Sequence, residues 1–226
     1  METIVVLSQK KWNSSSIEAL SKKFADYNWI LISEKADLNY ENLKKLSPKF
    51  IFIPHWSYII PDEIFENFEC VVFHMTDLPF GRGGSPLQNL ISRKIYDTKI
   101  SALKVVKELD AGPIYAKEPL SLHGTAEEIF IRANAVIEEM IGNILSTGKE
   151  PIEQEGEIEL FKRRTPEMSN IDGITELQGI FDHIRMLDAE GYPKAFFENE
   201  HFKFEFTRAS LKSDQTIIAD VRISKK

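Results

Sequence analysis

Residues 70–86 read Cys-Val-Val-Phe-His-Met-Thr-Asp-Leu-Pro-Phe-Gly-Arg-Gly-Gly-Ser-Pro, and they are the most informative part of this sequence. Its first four residues are an apolar, β-branched run typical of a buried strand, so we expect His74 at the carboxyl edge of that strand. Open α/β sheets bind their ligands at this edge. The loop that follows is too rich in glycine for a packing element. The stretch therefore predicts a functional histidine at the rim of a sheet.

A second motif lies some thirty residues further on, where Glu-Leu-Asp-Ala-Gly-Pro-Ile spans residues 108–114. It places Asp110 at a strand end before a turn. A histidine base with an orienting carboxylate is what acyl transfer to an amine requires. Taken alone, His74 is more typical of a hydrogen-bonded core residue and Asp110 of a turn former. The pairing with the glycine loop favours the catalytic interpretation.

The chain before this stretch alternates strands with helices. Residues 16–27 carry apolar side chains at helical spacing, which predicts a helix. The strand-like runs are nearly continuous, as in strands covered on both faces; they span residues 3–7, 29–32, 50–53 and 70–73. We therefore predict an α/β fold, a Rossmann-like doubly wound and mostly parallel sheet.

The second half of the chain predicts one long helix and then a change of character. Thr125 and Glu128 form a capping box for a helix that extends to about residue 145. We expect a catalytic domain over residues 1–150, an acidic, poorly packed linker over 151–160, and a small C-terminal α+β subdomain over 161–226. That subdomain has runs spaced as antiparallel strands. Its exposed phenylalanines need burial, for which a homodimer contact is one solution.

Composition excludes several classes of protein. The single cysteine, Cys70, rules out a disulfide framework and a thiolate metal site. The acidic start and the lack of a long apolar run predict no signal peptide and no membrane span, so we expect a cytoplasmic protein. The net charge of −7 predicts no nucleic-acid partner. The basic triplet at residues 162–164 is either a solvated face or an anion site.

The two motifs resemble the 10-formyltetrahydrofolate-dependent formyltransferases. That family's signature is Asn-x-His-x-Ser-Leu-Leu-Pro, a glycine-containing loop, and later Asp-x-Gly-x-Ile. Here residues 72–79 read Val-Phe-His-Met-Thr-Asp-Leu-Pro and residues 110–114 read Asp-Ala-Gly-Pro-Ile. The resemblance implies a formyltransferase with 10-formyltetrahydrofolate as cosubstrate, no metal, and catalysis by His74 and Asp110.

The resemblance also assigns binding residues. The loop after residue 55 and the loop before Asp110 match the walls of the family's pterin slot, which implies folate contacts from Trp56, Tyr58, Ile60, Val106 and Leu109. Core packing is the competing interpretation for Trp56 and Tyr58. The glycine loop and the helix after it predict substrate contacts from Arg82, Gly83, Gly84, Ser85 and Gln88. A guanidinium on a flexible loop suits an anion such as phosphate or carboxylate, and a solvated Arg82 is the alternative. The glycines are also compatible with a simple tight turn.

One position departs from the family pattern. Val72 replaces the asparagine that polarises the formyl oxygen, and the loss of one such donor can raise the barrier by about 3 kcal/mol. His55, which also ends a strand, is the first candidate to compensate, with Gln88 and Asn89 as others. A structural role for His55 is equally compatible with the sequence.

The form of the glycine loop is most similar to sugar N-formyltransferases, of the pseudaminic acid type, and to formylation domains of nonribosomal peptide synthetases. We therefore expect the acceptor to be the primary amine of an amino sugar. The alternatives are formyl transfer to an aminoacyl group, hydrolysis of 10-formyltetrahydrofolate, and a catalytically silent folate-binding module.

Overall fold

A computed structural model describes residues 1–9 and 12–226 of the chain. The strands are β1 (Glu2–Ser8), β2 (Tyr27–Ile32), β3 (Pro48–His55), β4 (Cys70–His74), β5 (Phe80–Gly83), β6 (Asp97–Lys104), β7 (Ile114–Ser121), β8 (Glu159–Phe161), β9 (Ala195–Glu198), β10 (Phe202–Leu211) and β11 (Ile217–Lys225). The α-helices are α1 (Trp12–Lys23), α2 (Tyr40–Leu46), α3 (Asp62–Phe65), α4 (Pro86–Ser92), α5 (Ala126–Thr147) and α6 (Leu177–Arg185). In these residues, no helix is both long and apolar enough to cross a membrane.

The central sheet has the strand order β2-β1-β3-β4-β6-β7. Strand β1 pairs in parallel with β2 and β3, β3 pairs in parallel with β4, and β6 runs antiparallel to β4. The apolar runs bury their side chains on both faces, as in Ile4–Leu7 and Ile51–Ile53. Such continuous burial is typical of strands covered by helices on either side. The predicted α/β fold with a mostly parallel sheet is confirmed.

The helices follow their sequence signals with shifted boundaries. Helix α1 occupies residues 12–23 rather than 16–27, because Tyr27 already pairs with Glu2 as the first residue of β2. Helix α5 has the predicted capping box, in which the Thr125 amide donates to Glu128 over 2.7 Å and the Glu128 amide donates back to the Thr125 hydroxyl. The apolar side chains along one face of this helix are buried, or half-buried in the case of Val136; the buried ones are Ile129, Ala133, Ile137, Met140, Ile141 and Ile144.

The chain divides into two compact units. The first comprises residues 1–82, 99–120 and 132–160 and carries most of the central sheet; the second comprises residues 83–98, 121–131 and 161–226. In the second unit, β9, β10 and β11 form the predicted antiparallel sheet, in which Phe204 pairs with Phe197 on one side and Ile223 on the other. The boundaries proposed from the sequence, at residues 150 and 161, stay a prediction.

His183 of α6 is a partly buried histidine of the second unit, and its Nε2 atom is buried. Its Nε2 has no hydrogen-bond partner among the described residues. Burial, reinforced by the charge of Arg164, lowers the pKa of His183 to about 4. The ring is therefore neutral in the folded protein at neutral pH and opposes protonation.

We predict a pH dependence of stability from His183. Between pH 6.5 and about 4 the unfolded chain binds a proton that the folded ring does not, so the free energy of unfolding falls as the pH drops through this window. Denaturant unfolding at pH 7.5 and pH 5 should show a smaller loss for His183→Gln than for the wild type. Equal losses in the two proteins would contradict this assignment.

Candidate active site

His74 occupies the predicted position, at the last residue of β4. Its ring is 8% exposed, and its Nε2 lies 2.8 Å from the carbonyl oxygen of Gly81. A carbonyl can only accept, so Nε2 carries a hydrogen and donates it. The Thr76 hydroxyl donates to the same oxygen over 3.4 Å. The chain segment after β4 thus turns back to hold one end of the imidazole.

Asp110 faces the other end of that ring. Its Oδ2 lies 3.5 Å from Nδ1 of His74, and both side chains are about nine-tenths buried. This separation is longer than a good hydrogen bond, as is common before a substrate tightens a site. A neutral imidazole has a single N–H, so it cannot donate to Gly81 and Asp110 together. The arrangement therefore has room for one mobile proton shared by the ring and the carboxyl.

Two residues shape the backbone around this pair. Ser101 lies opposite His74 on β6, and its hydroxyl donates to the Thr76 carbonyl over 2.7 Å while accepting from the Leu78 amide at 3.3 Å. Gly112 follows Asp110, and a Cβ on it would lie 1.9 Å from the Lys104 carbonyl oxygen. No side chain fits there, so the glycine is required by the close approach of the Asp110 turn to β6.

Val72 and His55 are placed by strand register. Val72 lies two residues before His74 and pairs with Ile53, so alternation puts Val72 and His74 on the same face of the sheet. Val72 packs against the hydrophobic core beside Ile53. His55 ends β3 two residues after Ile53, at the level of His74 on the neighbouring strand. Its role as a substitute for the missing asparagine stays a prediction.

The first segment predicted to bind folate contributes to an apolar cluster of the first unit. Ile60 belongs to this cluster and Trp56 packs against it from the loop after β3, as does Val105, the residue directly before the second predicted segment. Tyr58 contacts the Trp56 ring edge-on at 5.7 Å, while Leu109 is 65% exposed. Trp56 therefore has the core-packing role weighed against folate binding, but its Nε1 is buried without a hydrogen-bond partner in the described chain.

Arg82 is buried rather than solvated. Its Nε and Nη2 donate to Oε1 of Gln154 over 3.1 and 2.9 Å, and its Nη1 lies 3.9 Å from the carboxylate of Glu108. The guanidinium, predicted to bind a substrate anion, is thus committed largely to acceptors of the protein. Gln154 does not belong to any sequence motif. It lies in a stretch predicted to be a linker.

The other residues predicted to bind substrate lie in the second unit. Gly83 has φ +109°, and a Cβ there would lie 2.4 Å from the Phe161 carbonyl oxygen. A Cβ on Gly84 would lie 2.7 Å from the Arg163 Cα. The segment predicted as a free loop is therefore close-packed and partly β-structured, because β5 pairs with β8.

The polar side chains of this second-unit segment also have protein partners. Ser85 is the N-cap residue of α4 without a capping bond, and its hydroxyl accepts from the Arg164 amide at 3.1 Å. Gln88 is buried and donates to the Met186 carbonyl over 3.1 Å. Asn89 donates to the Lys162 carbonyl over 3.0 Å. The binding roles of Gly83, Gly84, Ser85 and Gln88 stay predictions.

Metal ligation finds no support in the part of the chain that the structure describes. No group of three or more His, Cys, Asp or Glu side chains there could hold a metal ion.

Comparison with known proteins places the chain in a family. Residues 166–224 match the family model for the methionyl-tRNA formyltransferase C-terminal domain. A solved structure, methionyl-tRNA formyltransferase from Clostridium thermocellum, is 50% identical over 100% of both chains with a TM-score of 0.97. The chain belongs to the formyltransferase family. The predicted class of enzyme is confirmed at this level.

More distant relatives share less of the sequence or only the fold. Methionyl-tRNA formyltransferase of Mesoplasma florum is 26% identical over 175 residues, 74% of this chain and 56% of that protein. The chain spans about half the length of the curated relatives it matches. HypX from Aquifex aeolicus, solved with tetrahydrofolic acid, has a TM-score of 0.74 at 18% identity and covers 92% of this chain and 38% of that one.

Two predictions are overturned by these findings. The expected amino-sugar acceptor is wrong, because the solved relative that is 50% identical over the whole of both chains is named a methionyl-tRNA formyltransferase, as are the curated relatives from Mesoplasma florum and Clostridium botulinum. The expectation of no nucleic-acid partner is wrong for the same reason. Sugar N-formyltransferases share the fold at only 14–16% identity. The form of the glycine loop is therefore a poor guide to the acceptor.

We predict that Gly112→Ala disrupts this site. Overpacking typically costs about 1–3 kcal/mol, and the overlap with backbone at 1.9 Å places this substitution at or above the upper end. Gly148→Ala is the matched control, since its Cβ meets nothing within 4 Å and only its φ of +57° opposes alanine. Chemical denaturation measures both. The prediction fails if Gly112→Ala is no more destabilising than Gly148→Ala.

Proposed function

We propose that the chain transfers the formyl group of 10-formyltetrahydrofolate to the α-amino group of an aminoacyl ester, methionyl-tRNA in the first instance. The observation that carries the reaction class is the His74 ring, held between the Gly81 carbonyl and the Asp110 carboxylate at the end of β4. The identity of the acceptor is inferred from the names of the relatives. An aminoacyl group is also the alternative to an amino sugar that the sequence leaves open.

The reaction sets clear demands on the protein. The neutral amine attacks the formyl carbon, the bond from that carbon to N10 of the folate breaks, and one proton passes from the amine to N10. An oxyanion develops on the formyl oxygen in between, and preorganised donors stabilise such charge. A histidine titrates near neutral pH and can move the proton.

His74 and Asp110 meet these demands in different ways. Nε2 of His74 donates to Gly81 without substrate and would exchange this acceptor for the formyl oxygen or the migrating proton. Asp110 holds Nδ1 and stabilises the ring when it carries a second proton, as in a catalytic triad. Burial of both side chains strengthens these interactions, because charge is poorly screened away from water.

The apolar residues of the predicted pterin segments support folate binding. Trp56 and Ile60 share one apolar cluster with Val105, the residue directly before the second segment, and Ile59 and Leu109 are exposed apolar residues of the two segments. A flat heterocycle with polar edges suits an apolar slot that offers a few fixed donors. The unpartnered Nε1 of Trp56 is one such donor.

We predict that formyl transfer depends on both His74 and Asp110. With 10-formyltetrahydrofolate and methionyl-tRNA, the wild type should form N-formylmethionyl-tRNA, whereas His74→Ala and Asp110→Asn should each lose roughly 10³-fold or more in kcat. N-acetylmethionyl-tRNA, which has no free amine, is the negative control. Acid-gel separation of the tRNA products measures the rate.

Other outcomes of this assay contradict the proposal in distinct ways. Tetrahydrofolate released without an acceptor would indicate a hydrolase, and folate binding without turnover would indicate a silent binding module. Near wild-type rates in either variant would contradict the roles given to the pair.

A further prediction concerns the missing donor. Val72→Asn should raise kcat by about tenfold or more, because one oxyanion donor is worth up to about 10²–10³ in rate. Val72→Leu, which adds no donor, is the control. Single-turnover formylation is the measurement. A rate in Val72→Asn no higher than in Val72→Leu would contradict this prediction.

A further inference from the structure

Gln154 connects the two residues that hold His74. Its Oε1 accepts from Arg82, the residue directly after Gly81, and its Nε2 donates to the carbonyls of Asp110 and Gly112 over 2.9 and 2.8 Å. Gly81 and Asp110 are the two partners of the imidazole. The contacts therefore close a ring that starts and ends at His74.

The orientation of the Gln154 amide follows from its neighbours. A guanidinium has only donors and a backbone carbonyl only acceptors, so the amide oxygen must face Arg82 and the nitrogen must face the turn. Both hydrogens of the nitrogen have an acceptor, and the oxygen accepts two bonds from Arg82. No other uncharged side chain of this length offers an acceptor and two donors in opposite directions.

The turn at Asp110 needs such support. Asp110 has φ +53°, in the left-handed region, which costs a non-glycine residue of the order of 1 kcal/mol and persists only where the surroundings determine it. Gln154 holds the carbonyl of Asp110 and that of Gly112, two residues later. The backbone two residues before Gln154 is anchored by the pairing of Ile152 with Ile114, over 2.7 and 2.9 Å.

We propose that Gln154 is a positioning residue, which sets the Asp110 carboxylate against Nδ1 of His74 and couples that placement to the Gly81 carbonyl through Arg82. This inference deepens the proposed function and rests on it only for the kinetic part of its test. The stretch that carries Gln154 is thus part of the active-site support.

Gln154→Glu separates the two halves of the contact. The carboxylate keeps an acceptor for Arg82 but has no hydrogen for the Asp110 and Gly112 carbonyls, so the turn loses its two bonds. Glu155→Gln is the matched control, because Glu155 is an exposed neighbour. Thermal unfolding should show that both variants remain folded.

The first measurement needs no substrate. In ¹⁵N-labelled protein at fixed pH, the Nδ1 resonance of the His74 ring should move in Gln154→Glu in the same direction as in Asp110→Asn, and should stay in place in Glu155→Gln. An unmoved His74 signal in a folded Gln154→Glu variant would overturn the proposal. This result stands whether or not the wild type formylates methionyl-tRNA.

The second measurement is kinetic. If the wild type is active, Gln154→Glu should lower kcat about 10–100-fold, the cost of a small misplacement of a catalytic group, while KM for the folate and the acceptor changes less than about threefold. A purely structural role would instead lower the melting temperature or the fraction of active enzyme with an unchanged kcat per active site. That pattern would also refute positioning by Gln154.

Discussion

The structure of this site depends on how one imidazole is held between two acceptors. His74 ends a buried strand, and the chain returns through Gly81 to accept from Nε2 while Asp110 comes from a turn after β6 to face Nδ1. A neutral imidazole has only one N–H, so one of its two acceptors lacks a hydrogen bond. A second proton, on the ring or on the carboxyl group, would complete both hydrogen bonds. This capacity to take up a proton suits an enzyme that must move a proton while an acyl group is transferred from one nitrogen to another.

The main residues of the site could be predicted because their signals are local. A β-branched run predicts a strand wherever it lies, and the run alone therefore places a histidine that follows it at the strand's end. Asp110 follows from the same logic at a turn. The α/β fold, the capping box at Thr125 and the three C-terminal strands could be predicted for this reason.

The support of the site could not be predicted because it is made of long-range contacts. Gln154 is a single amide in an acidic stretch, 72 residues from Arg82 in sequence, and no periodicity marks it. The sequence predicts that Arg82 faces a substrate anion because a guanidinium on a flexible loop suits one, whereas its partner Gln154 is too distant in sequence to be recognised. The error about the nucleic-acid partner has another origin. A net charge of −7 sums the whole chain, whereas a nucleic acid meets a local surface.

Val72 gives the proposed activity its sharpest constraint. In the proposed mechanism, a valine on the face of the sheet that carries His74 supplies no hydrogen bond to the oxyanion, so the imidazole would bear more of the stabilisation than with the asparagine of the family signature. A structure with 10-formyltetrahydrofolate made unreactive at the formyl group tests this most directly. We predict that His74 Nε2 lies about 3 Å from the formyl oxygen in that structure, with Asp110 still facing Nδ1. A formyl group bound away from an imidazole that still donates to Gly81 would contradict it.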